Sequence, residues 1–88
     1  MKSSGLKVLI FEDDPLDIQL NITELKKEFQ DPVVKSTARE DEFKSIIDNF
    51  QPDIILSDYN LPGFNGLDAL NYVSENYPLL PILIVTGS

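Results

Sequence analysis

Ile54-Ile55-Leu56-Ser57-Asp58-Tyr59-Asn60-Leu61-Pro62-Gly63-Phe64-Asn65-Gly66 is an apolar run of strand length that drives into a carboxylate and then at once into a turn rich in Pro, Gly and Asn. Asp58 therefore stands at the carboxyl end of a buried strand. In open parallel sheets flanked by helices, ligands bind at that edge, because the strands stop there and the loops part into a crevice. Two readings of Asp58 follow from position alone: chemistry at the crevice, or a cap for the turn or the next helix.

Upstream, Lys7-Val8-Leu9-Ile10-Phe11 has the nearly continuous apolar character of a strand covered on both faces. It runs into Glu12, Asp13 and Asp14 and then Pro15, whose fixed φ suits a first helical turn. Asp14 is the expected N-cap, with Asp17 in the first turn. Ile18, Ile22, Leu25 and Phe29 then mark one face of an amphipathic helix that Asp31-Pro32 should end. Val33 to Thr37 reads as a partly polar edge strand. Phe43, Ile46, Ile47 and Phe50 give a second helix closed by Gln51-Pro52, and Asp53 to Ser57 is the expected third strand. Gly66 leads into a third helical stripe of Leu67, Leu70 and Val73 that runs to about Asn76, and Pro81 to Thr86 reads as a fourth strand. Strict alternation of strand and helix with short linkers implies right-handed crossovers and an α/β fold, a parallel sheet with helices on both faces.

The composition narrows the function. Seven basic and fifteen acidic residues give a net charge of −8, so the surface should repel nucleic acid and anionic membrane. The sequence has no Cys and no His, which removes disulfides, thiolate sites and the commonest general base and leaves oxygen ligands for hard cations. The longest apolar stretch, Leu79 to Val85, is too short to span a bilayer and contains Pro81, and Met1 to Gly5 lacks a signal-peptide core. A cytoplasmic location is the expectation.

If the first and third strands are neighbours, Glu12 and Asp13 meet Asp58. Carboxylates gathered in one pocket repel, so they raise a pKa or hold a cation. Mg²⁺ suits such a pocket, taking one or two carboxylates and completing its octahedron with water and phosphate oxygen. Thr86 would offer a hydroxyl at the same edge, and Asp58 could act as a nucleophile that forms an aspartyl phosphate. An EF-hand starting at Asp58 is excluded, because Pro62 takes a ligand position and Ala69 stands where the bidentate Glu belongs.

In combination, Glu12-Asp13, Asp58, the loop Leu61 to Gly66 and Thr86 resemble the receiver domains of two-component response regulators, over nearly the whole chain from Lys7 to Thr86. The resemblance implies a flavodoxin-like sheet of order 2-1-3-4 built as β-α-β-α-β-α-β. It implies that Asp58 is phosphorylated from the phosphohistidine of a sensor histidine kinase or phosphotransfer protein, and that the module is not itself an enzyme. Asp13 and Asp58 would ligate Mg²⁺ through their side chains, Glu12 would act through water, Asn60 would lend its backbone carbonyl, and Thr86 would hydrogen-bond the phosphoryl group.

The family also places a Lys at the end of a fifth strand, and this sequence stops at Ser88 ahead of one. Lys7, at the opposite end of the first strand, cannot replace it. Residues 1–88 are thus expected to be a C-terminally truncated receiver lacking the last helices and fifth strand, with an exposed fourth strand that invites self-association. The alternative is a receiver-like protein-interaction module with impaired phosphorylation. A phosphohydrolase with an aspartate nucleophile fits less well, since Asn60 occupies the place of its second acid.

Overall fold

A strand buried on both faces sits at the centre of the molecule. The computed structural model describes residues 5–85, and in it Val8, Leu9, Ile10 and Phe11 of β1 (Lys7–Phe11) are fully buried. The remaining elements follow the expected order: α1 (Pro15–Glu28), β2 (Val33–Thr37), α2 (Glu40–Phe50), β3 (Ile54–Asp58), α3 (Gly66–Asn76) and β4 (Ile82–Val85). All pairings are parallel and the order is β2-β1-β3-β4, the flavodoxin-like arrangement. The register sets Phe11 opposite Ser57 and Asp58 opposite Val85.

Period-2 alternation splits the core into two layers. Leu9, Phe11 and Ile55 face α2 and α3, where they meet Phe43, Ile47, Ala69, Val73 and the loop residue Leu61. Val8, Ile10 and Leu56 face α1, against half-buried Ile18, Ile22 and Leu25. Phe11 and Phe43 pack with ring centroids 4.5 Å apart, and Phe64 lies 5.9 Å from each. Burying one such ring contributes about 1.5–3 kcal/mol, so the loop after β3 is pinned to the strongest part of the core through Phe64 and Leu61. Tyr59, between Asp58 and Asn60, is by contrast 47% exposed.

Four boundaries or faces differ from the sequence reading. α1 ends at Glu28, because Phe29 turns extended and donates its N–H to the Leu25 carbonyl; Phe29 therefore leaves the helical stripe. β3 begins one residue late, since Asp53 serves β1 instead: its carboxylate accepts the Lys7 N–H at 2.8 Å and its own N–H donates to the Lys7 carbonyl. The buried face of α3 is Gly66, Ala69 and Val73, while Leu67 is 48% exposed. One residue of helix is a rotation of about 100°, so burying Gly66 swings Leu67 outward. β4 is described only over Ile82–Val85, and Thr86 lies outside the described residues.

Candidate metal and phosphoacceptor site

Three carboxylates converge at the carboxyl edge of β1 and β3. One side-chain oxygen from each of Glu12, Asp13 and Asp58 lies within 4.8 Å of the others. Asp58 is the last residue of β3 and Glu12 continues β1, with its N–H bonded to the Thr37 carbonyl at 2.9 Å. Strand pairing thus sets the spacing of two of the three. Glu12 is 3% exposed and Asp58 8%, whereas Asp13 is exposed.

The adjacent acids divide their work as the sequence suggests. Asp14 has extended backbone and accepts the Leu16 N–H at 2.9 Å, capping α1 behind Pro15. Its own N–H donates to Glu12 Oε2 at 3.1 Å, which orients that carboxylate. Desolvation pushes the Glu12 carboxyl above its ordinary pKa; the Asp14 N–H opposes the rise, and the charges of Asp58, Asp17 and Asp13 add to it. Among the described residues every ion pair lies elsewhere: Lys27 with Glu24, Arg39 with Asp41 and Glu42, Lys44 with Glu40. Lys7 is committed to the far end of β1, where its Nζ donates to the Phe50 carbonyl at 3.2 Å. Among the described residues no cation pairs with the acidic trio, whose hard oxygen donors suit a hard divalent ion.

A family model described as the response regulator receiver domain matches residues 8–88. The chain belongs to that family. Among relatives, it is 31% identical over 83 residues to a protein-glutamate methylesterase/protein-glutamine glutaminase of Nitrosospira multiformis, covering 94% of this chain and 23% of that protein. Its fold matches the MaeR response regulator bound to beryllium trifluoride at a TM-score of 0.80, with 22% identity, over 100% of this chain and 69% of that one. The N-terminal domain of the nisin resistance regulator NsrR, a lantibiotic response regulator, matches at a TM-score of 0.74 and 32% identity, over 93% of this chain and 67% of that one. The receiver domain described here spans less than a quarter of the methylesterase relative.

Within the receiver domain, Glu12, Asp13 and Asp58 come together as the sequence suggests. Asn60 is exposed in the loop two residues beyond Asp58. Three features of the site escaped the sequence reading. Asn65 and Asp68 form a reciprocal capping box at the start of α3, with Asp68 N–H on Asn65 Oδ1 at 3.0 Å and Asn65 N–H on Asp68 Oδ2 at 2.9 Å. The spacing Asn-x-x-Asp ahead of an apolar stripe is a readable signal for it. Ser57, fully buried, donates its hydroxyl to the Asp58 carbonyl at 3.1 Å. Thr37, buried at the end of β2, donates to Glu42 and accepts the Arg39 N–H, which ties the β2–α2 turn beside Glu12.

Proposed function

We propose that this chain is a phosphoacceptor module of two-component signal transduction, with Asp58 taking the phosphoryl group from a histidine kinase or phosphotransfer protein in the presence of Mg²⁺. The observation that carries the reading is the trio Glu12, Asp13 and Asp58 within 4.8 Å at the end of two paired strands. An Asp58 carboxylate oxygen forms a bond to phosphorus while the P–N bond to the donor imidazole breaks, and the departing ring nitrogen takes a proton from water. Mg²⁺, when bound, would supply neutralisation of charge on the transferring group, which is most of what such a reaction demands. Asp13 and Asp58 would hold it through their side chains, with Glu12 acting through water and Asn60 lending its carbonyl; Thr86, outside the described residues, is the proposed hydrogen-bond partner of the transferred phosphoryl group.

The module reacts stoichiometrically and turns over no second substrate. Among the described residues no helix is long and apolar enough to cross a membrane, and the net charge of −8 disfavours nucleic acid as a partner of this domain. A cytoplasmic location goes with the proposed donor. β4 pairs with another strand on one side only among the described residues, and self-association through that edge belongs to the same reading.

The test is incubation with a small acyl phosphate and Mg²⁺, followed by intact mass measurement. One phosphoryl group per chain is expected, absent in Asp58→Asn. An unlabelled wild-type chain would overturn the reading in favour of a silent interaction module, and label persisting on Asp58→Asn would move the acceptor elsewhere.

A further inference from the structure

Gly66 opens α3, yet it touches the residue that ends β3. A Cβ built at Gly66 would lie 2.5 Å from the Asp58 carbonyl oxygen, 2.8 Å from Tyr59 Cα and 3.1 Å from the Asp58 carbonyl carbon. The shortest of these is nearly an ångström inside the 3.4 Å at which ordinary contact begins. All three neighbours are backbone atoms, so no side chain can rotate away. The Gly66 N–H closes the same contact, donating to the Tyr59 carbonyl at 3.3 Å.

Neither side of this contact is free to retreat. The Asn65–Asp68 box fixes the first turn of α3, and Asp58 is held in register opposite Val85. Leu61, 5% exposed, anchors the intervening loop in the core. Gly66 does not occupy the positive-φ region, unlike Gly63 at φ +73°, so its backbone conformation does not call for glycine. Alanine is the better helix former. What excludes a side chain at 66 is the Asp58–Tyr59 peptide.

Resting on the function proposed above, we infer that Gly66 is a positioning residue of the phosphoacceptor site: its missing side chain lets α3 seat directly on the Asp58 main chain, which fixes where the Asp58 carboxylate and the following Asn60 carbonyl meet the ion. A methyl group at 66 forces the Asp58–Tyr59 peptide and α3 apart and carries the acceptor carboxylate off Glu12 and Asp13. Such misplacement costs about 10–100-fold in metal affinity or rate.

The experiment compares the full chain, Gly66→Ala and Gly63→Ala, reading the Mg²⁺ half-saturation and the maximal rate of phosphorylation by a small acyl phosphate. Gly63→Ala strains the same loop but meets no atom within 4 Å, so it reports loop strain without the contact. Gly66→Ala should raise the Mg²⁺ half-saturation by about tenfold or more and lower the rate at saturating Mg²⁺, whereas Gly63→Ala keeps the half-saturation within about twofold. A generally weakened fold would also raise the apparent half-saturation, in inverse proportion to the folded fraction, so that fraction is measured by circular dichroism without Mg²⁺ and the half-saturation is corrected for it before the variants are compared. A folded Gly66→Ala with wild-type half-saturation and rate overturns the inference and leaves the proposed function standing. An unaltered chain that takes up no phosphoryl group overturns both. If Gly66→Ala does not fold, hydrogen exchange of the Gly66 amide in the unaltered chain decides: saturating Mg²⁺ should slow it, and unchanged exchange overturns the inference.

Discussion

Asp13 and Asp14 are chemically identical and adjacent, and backbone geometry alone gives them different work. Asp14 spends its carboxylate on the Leu16 N–H, while Asp13 joins Glu12 and Asp58. Another single hydrogen bond, far from this site, sets a pH dependence. The Tyr77 hydroxyl, just past α3, donates to Asp48 of α2, and this bond to a carboxylate pushes the phenol from 10.0 up to about 12. The folded chain then keeps a proton that the unfolded chain has lost, so the stabilisation is complete below about pH 10 and disappears as pH rises toward 12. Denaturant unfolding at about pH 9 and pH 11 should show Tyr77→Phe losing less stability across that interval than wild type. Equal losses in the two proteins would contradict the assignment; because Tyr72 also contributes to the Tyr77 shift, both are compared on a Tyr72→Phe background. At this scale the acids were legible, because carboxylates at strand ends declare themselves by position. Gly66 was not, since its contact with Asp58 exists only after the loop between them closes.

Elements were most legible where periodicity had few competitors. β1 and α2 follow their apolar patterns directly, and the two-faced burial of β1 is written in its unbroken run of Val8 to Phe11. Boundaries moved where a side chain took a non-local task, as Asp53 does in capping β1. The face of α3 was misread because Leu67 and Leu70 outweigh Gly66 in hydrophobicity, whereas closeness to Asp58 settles which side packs. Leu83 of β4 is 53% exposed, on a strand with one described neighbour. The 88-residue chain should therefore sediment faster as its concentration rises, more so in added salt that screens the net charge of −8. Leu83→Lys should suppress the effect. Concentration-independent sedimentation of the unaltered chain would contradict it.

Across the whole molecule, the alternating elements bury β1 and β3 between α1 on one face and α2 and α3 on the other. That arrangement leaves the carboxyl ends of the two central strands as the one place where Glu12, Asp13 and Asp58 can meet. The fold was legible because alternation permits few topologies; the strand order came from the family likeness. The charges of Asp58 and Asp13 help raise the Glu12 pKa, a repulsion that a bound cation would relieve. Thermal unfolding in MgCl₂ against NaCl of matched ionic strength tests this most directly. The wild-type midpoint should climb with Mg²⁺, by the equivalent of about 2.7 kcal/mol at a hundredfold excess over the dissociation constant, and Asp13→Asn should lose most of the gain. A midpoint indifferent to Mg²⁺, or one that climbs equally in Asp13→Asn, would contradict the account.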